Sequence, residues 1–335
     1  MRPRGGQHRR VIEIGYALSS EEHSAADLVR HAELAEKAGF GFALISDHYH
    51  PWLDRQGHSP FVWDVIGAIS QRTEKLVLGT GVTCPTVRMH PAIVAQAAAT
   101  AATLMPGRFF LGLGTGEALN EHIVGEHWPP ADVRLQMLEE AMEVLRLLWQ
   151  GGEQSHYGEF FVVENARVYD LPDEPVPLLV AASGQKAAEL AGRAADGLIS
   201  TAPKKELVDQ FKRAGSRRGR PRYGQMTVSW AKSQRAAIDT ALEWWPTAAL
   251  HGELSQELPL PAHFEQAAKD VTAEQIKKQI TCGPRIEPIR AKIDEFADAG
   301  FSHVYLHQVG PDQQGFIDFC AEQLLPTLQG KTSRR

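Results

Sequence analysis

Short apolar runs rich in β-branched and aromatic residues alternate along this chain with longer stretches whose apolar positions recur at helical spacing. The runs VIEIGYAL (11–18), FALIS (42–46), LVLGTGV (76–82), RFFLGLG (108–114), PLLVAAS (177–183), GLIST (197–201), QMTVSWA (225–231) and SHVYLHQ (302–308) predict strands. Helical periodicity covers 24–38, 60–71, 91–104, 131–150, 185–195, 204–214, 234–245, 286–299 and 312–328. Strands apolar on both faces belong to a parallel sheet sheathed by helices. Eight such units with no Pro-, Gly- or Ser-rich linker predict an α/β fold, the (β/α)₈ TIM barrel.

The punctuation agrees. EKAGF (36–40) and ADAGF (297–301) each place Gly just past a helix end, where a left-handed cap disfavours any Cβ. Two segments exceed the minimal repeat. Residues 151–176 read as a hairpin-like insertion, and 246–283 as a long excursion with a short helix near 272–280. Long loops at a barrel's active face commonly form lids or substrate walls. The basic ends, 1–10 and 329–335, read as flexible tails on one domain spanning 11–328.

Composition narrows the function. With 43% apolar and 23% charged residues, the chain has the balance of a soluble globular protein. Its 41 acidic against 35 basic residues argue against a general nucleic-acid binder. No apolar run is long enough to span a bilayer, and the basic start lacks the apolar core of a signal peptide. Cys84, Cys282 and Cys320 are far apart and odd in number, which fits reduced thiols in a cytoplasmic protein and no zinc knuckle.

In a barrel, chemistry collects where the strands end. The second strand ends in SDHYHPW (46–52), which crowds Asp47, His48, His50 and Trp52 together. The pair His48 and His50 could ligate a metal, yet a zinc site needs a third or fourth ligand and no H-E-x-x-H supplies it. His48 could instead carry a proton, or Asp47 and His48 could form a buried structural pair. GLGTGEALNE (112–121) contains G-x-G-x-G, but it follows a fourth strand and has Glu117 where a dinucleotide fingerprint needs its last small residue. Glu117 reads either as an acid/base group or as a carboxylate at a helix start. In AASGQK (181–186), Ser183 and Gly184 lead into a helix, with Lys186 adding charge. That is an anion seat or simply a tight turn.

Taken in order, SDHYHPW, the GTGV-x-x-P turn (79–85), LGLGTGEALNE (111–121), YDLPDEPVPLLVA (169–181) and AASGQKAAELAGRAADG (181–197) resemble the coenzyme F420-dependent glucose-6-phosphate dehydrogenase family of the luciferase-like barrels. The resemblance runs from about residue 11 to 328. It implies a homodimer that binds coenzyme F420 non-covalently and moves hydride from a carbinol carbon of a sugar phosphate, sugar or other alcohol to C5 of the deazaflavin. On its motifs, His48 would be the acid/base residue, Glu117 the second one, and Trp52 the cover of the reacting centre. Asp47, Thr115, Gly116 and Asn120 would contact the coenzyme, with Gly81, Val82 and Cys84 behind it on a turn carrying a non-proline cis bond at Gly81–Val82. Ser183, Gly184, Lys186 and Ala187 would hold its phosphate, while Glu21, Thr201 and Lys204 would face the substrate.

The chain also departs from the pattern. The family carries two further basic residues for the substrate phosphate, and here those positions fall on Ser255 and Gln279. Lys205, Lys277, Lys278 and Arg285 lie near them in sequence. His50 replaces a residue that is often Gln. Three alternatives accompany the dehydrogenase reading: a reductase of a carbonyl or alkene using reduced F420, a protein that only carries F420, and a metal-dependent barrel hydrolase. An FMN-dependent monooxygenase would share the barrel, but no oxygenase-specific motif is visible.

Overall fold

The computed structural model describes residues 12–250 and 252–329. Of the expected tails, 1–10 and 329–335, all but Gln329 lies outside the described residues. Eleven strands follow one another: β1 (Glu13–Leu18), β2 (Phe42–Ile45), β3 (Val77–Thr80), β4 (Phe109–Leu113), β5 (Gln154–Tyr157), β6 (Val162–Ala166), β7 (Leu178–Ala181), β8 (Gly197–Ser200), β9 (Arg222–Ser229), β10 (Thr281–Cys282) and β11 (His303–Gln308). Parallel pairing runs β11-β1-β2-β3-β4-β7-β8, and β9 pairs with both β8 and β11. Eight strands therefore close into a barrel. Each expected strand is present, although β9 begins three residues before the expected run.

Alternation in the strands sorts side chains into two cores. Inside the barrel, Phe42, Leu44, Phe110, Ile199, Tyr223 and Tyr305 pack together. Glycine makes room for Phe110, since a Cβ on Gly79 would stand 2.1 Å from Phe110 Cε2. The opposite strand faces pack against the helices, among them Ala25–Ala38, Val62–Ser70 and Pro91–Leu104. Gly39 and Gly300 cap their helices at φ 99°, as the two AGF stretches predict.

Both insertions take shape. The segment 151–176 contains an antiparallel hairpin, β5 with β6. The excursion is more helical than expected: besides Ala273–Gln279 it holds Leu254–Glu257 and Pro261–Ala268, and it ends in β10, which pairs with β9. Pro at the first position favours the start of the 261–268 helix, and Thr272 with Gln275 forms a capping box on the next. The last expected helix is interrupted, with a π-helical stretch at Cys320–Leu324 between Gln313–Phe319 and Leu325–Gln329.

Candidate active site

A cavity of about 280 Å³ opens at the carboxyl ends of the strands. Its wall takes residues from the ends of β1, β2, β3, β4, β7 and β8, from Gln225 in β9, from Tyr305 and His307 in β11, and from the excursion. The site thus lies where the barrel rule places it.

Four polar residues following β1, Ser19, Ser20, Glu21 and Glu22, are all buried. Glu21 Oε2 accepts hydrogen bonds from Ser19 Oγ (3.0 Å) and Ser46 Oγ (2.5 Å), and Oε1 lies 3.5 Å from His48 Nε2. Burial works to raise the Glu21 carboxyl, but His48 and the Ser46 hydroxyl together hold it below the usual carboxylate range. His48 lines the cavity, and its Nδ1 sits 3.3 Å from the His50 carbonyl. A carbonyl can only accept, so Nδ1 is the donor in this contact, and Nε2 is the nitrogen that faces the Glu21 carboxylate. The His48 ring packs 5.1 Å from Trp52, which lines the cavity and is backed edge-on by Phe264 of the excursion.

Asp47 does not reach the cavity wall. It is buried behind it, with Oδ1 accepting from Arg88 Nη2 (2.8 Å) and Oδ2 from Thr83 Oγ1 (2.7 Å). Arg88 also meets Glu121, whose Oε2 accepts from the Arg88 backbone N–H at 2.7 Å. Burial pushes the Glu121 carboxyl up to about 7 despite that partner. His50 turns elsewhere, its Nδ1 2.9 Å from the Leu119 carbonyl and its ring stacked on His122. Among the described residues no group of three or more His, Cys, Asp or Glu side chains is arranged to hold a metal.

Gly81–Val82 is a cis peptide bond, and both residues line the cavity. Cys84 is buried one layer behind. Its Sγ is 2.9 Å from Thr86 Oγ1, and burial raises its thiol well above the ordinary value. The thiol supports the next turn from below: a Cβ on Gly116, at φ 76°, would stand 2.6 Å from Cys84 Sγ. Thr115, Gly116 and Glu117 form the adjoining wall. Glu117 starts the turn Ala118–Glu121 without any side-chain capping bond. Its Oε2 accepts from Asn120 Nδ2 at 3.4 Å, while Asn120 Oδ1 accepts from the backbone N–H groups of Tyr49 (2.9 Å) and His50 (3.2 Å). Asn120, buried, therefore ties SDHYHPW to Glu117.

Ser183 lines the cavity where β7 ends. Gly184 and Lys186 are exposed beside it, at the start of the helix Gln185–Ala194, with Ala187 half-buried in the first turn. Thr201 lines the wall, but Lys204 is exposed outside it. Of the two excursion positions, Ser255 is half-buried and off the wall, and Gln279 is exposed at the end of its helix. Their neighbour Gln256 lines the cavity instead, its Oε1 accepting from Arg134 Nη2 at 3.0 Å.

Sequence reasoning passed over Gln225, Trp245, Gln256, Tyr305 and His307, all on the wall, and Arg88 behind it. Period-two alternation in β11 could have found Tyr305 and His307 together, since both point to one face of the strand. Nothing in the local sequence marks Trp245 or Gln256.

The fold and the site have close counterparts. The profile of the luciferase-like monooxygenase family matches residues 11–303. The F420-dependent glucose-6-phosphate dehydrogenase of Segniliparus rotundus is 36% identical over 330 residues, covering 95% of this chain and 98% of the relative. That of Microbacterium testaceum is 35% identical over 328 residues, with coverage of 95% and 98%. A solved F420-dependent secondary alcohol dehydrogenase, in complex with an F420-acetone adduct, superposes with a TM-score of 0.87 at 31% identity, covering 95% of this chain and 99% of its own. The F420-dependent tetrahydromethanopterin reductase of Methanopyrus kandleri shares the fold at 20% identity and TM-score 0.77. On the family profile and on identity above one third across nearly the whole length, this chain belongs to the luciferase-like monooxygenase family, among the F420-dependent glucose-6-phosphate dehydrogenases.

Proposed function

We propose that this chain is a coenzyme F420-dependent dehydrogenase that oxidises an alcohol. One observation carries the reading: an imidazole and a separate carboxylate, His48 and Glu117, share a narrow cavity lined by Gly81, Val82, Thr115 and Gly116. That is the arrangement a flat, non-covalent redox coenzyme and a proton acceptor require together. The exposed turn Ser183–Lys186 at the start of a ten-residue helix offers backbone N–H groups and a cation to the coenzyme's phosphate.

When bound, coenzyme F420 supplies a hydride-accepting carbon. His48 Nε2 takes the hydroxyl proton of the substrate, and the Glu21 carboxylate at 3.5 Å stabilises the ring once it is charged. Trp52 covers the reacting centre and excludes water. Glu117 is the second proton-carrying group, held by Asn120. Asp47 contributes from behind the wall by fixing Arg88 and Thr83 under the His48 loop. A metal-dependent hydrolase finds no support among the relatives.

The reading extends to a cytoplasmic homodimer. Exposed Phe61, Ile93 and Leu104 lie at or on neighbouring helices and offer apolar surface for a second copy, and the three cysteines are free thiols. The decisive assay follows the deazaflavin absorbance with alcohols and oxidised F420, and with carbonyl compounds and reduced F420, which also sets the direction. His48→Ala is expected to lower kcat by about 10²–10⁴-fold with coenzyme binding retained. A rate near wild type removes His48 from the mechanism.

A further inference from the structure

We infer that this site takes an uncharged alcohol, or the matching ketone in reverse, rather than the phosphorylated sugar named for its curated relatives. The inference rests on the F420 reading above and specifies its substrate. Glucose-6-phosphate brings a phosphate dianion, which needs cations or a fan of N–H donors. Among the described residues lining the cavity there is no Lys or Arg. The carboxylate and imidazole side chains on its described wall are Glu21, His48, Glu117 and His307. Glu22 stands just behind, its Oε2 3.5 Å from His307 Nε2. A phosphate at this wall would meet carboxylates with no arginine or lysine among the described lining residues to offset them. Lys204 is exposed beyond the rim, where solvent screens it.

Trp245 and His307 line the wall instead, and their rings touch edge-on at 4.6 Å. Trp245 Nε1 is buried and hydrogen-bonds no described residue, and the same holds for both nitrogens of His307. The Glu22 carboxylate is fixed by the Gly310 N–H (2.8 Å) and faces Nε2, which turns Nε2–H toward Glu22 and leaves Nδ1 as an acceptor. An indole donor beside an imidazole acceptor matches a hydroxyl, which both gives and takes a hydrogen bond. A phosphate dianion only accepts. Such unpartnered buried groups discriminate strongly for a ligand that completes them.

The test begins with F420 binding, followed by fluorescence, so that failure of the coenzyme reading is seen separately; no F420 binding ends both readings. With F420 bound, glucose and glucose-6-phosphate, glycerol and glycerol phosphate, and simple secondary alcohols are compared, with ketones against reduced F420. Uncharged substrates are expected to turn over, with kcat/KM for every phosphate ester at least about 100-fold below the best of them. Titration calorimetry on the F420-loaded protein is expected to show no binding of glucose-6-phosphate at millimolar concentration. Trp245→Phe keeps the ring and removes the donor. It is expected to raise KM for the alcohol about fivefold to tenfold, with kcat within about twofold and F420 affinity unchanged. His307→Gln serves as the second variant with the same KM expectation. A phosphate ester within 100-fold of the best alcohol, binding of glucose-6-phosphate, absence of turnover of any uncharged substrate, or unchanged KM in both variants overturns the inference.

Discussion

The two sides of the cavity are built on opposite terms. On the side of β2 to β4, most polar groups are paired, although Arg88 Nε and Glu121 Oε1 stand 3.6 Å apart without a hydrogen bond. Arg88, Asp47, Thr83 and Glu121 bond one another behind the wall, and Asn120 ties the His48 loop to Glu117. On the side of β11 and the excursion, Trp245 and His307 leave buried polar atoms without partners among the described residues. A densely bonded wall suits a coenzyme that must be presented in one geometry, and a sparsely bonded one suits a substrate that completes its bonds on arrival.

The largest expected effect comes from opening the densely bonded side. Arg88→Met strips a buried cation from Asp47 and Glu121, and is expected to cost about 3–5 kcal/mol of stability in chemical denaturation. A loss below about 1 kcal/mol would show that the network does not hold the wall.

The second lies beneath the β1 end, where His23 and His31 pack edge-on at 4.9 Å. Burial, with His31 nearby, pushes His23 down to about 3, and burial pushes His31 down to about 4. Both folded-state values lie below the unfolded value. Their contribution is therefore complete above about pH 6.5 and drains away as pH falls toward the folded values, by about 2 kcal/mol per histidine between pH 6.5 and 5. Denaturation at a series of pH values should show that slope, and His31→Leu should flatten it by roughly one proton. An unchanged slope in the variant would count against the assignment.

A smaller effect sharpens the contrast without disturbing the fold. Glu21→Gln keeps hydrogen-bonding capacity toward Ser46 but removes the charge facing His48, and is expected to lower kcat about tenfold at constant coenzyme affinity. Loss of F420 binding instead would move Glu21 from the proton path to the coenzyme seat.

The same contrast explains what could be read from the sequence. The eight strands and their helices were legible because apolar periodicity is local, and so was the wall whose residues sit together in SDHYHPW and GTGEALN. Asp47 was legible as part of that motif but not as a residue behind the wall, because its role depends on Arg88, distant in sequence. The excursion was the least legible part. Its helices are short, its partner strand β10 has two residues, and Trp245 and Gln256 reach the cavity only through tertiary packing. Excursion positions aligned to a family's basic residues, Ser255 and Gln279, lie off the wall that Gln256 joins.

The coenzyme assignment is tested most directly by equilibrium titration of the purified protein with coenzyme F420 and, separately, with FMN. The F420-dependent relatives, with a ring wall at β2–β4 and an anion seat at Ser183–Lys186, predict saturable one-to-one F420 binding, with FMN at least about 100-fold weaker. Equal or tighter binding of FMN, or no binding of F420, would contradict it.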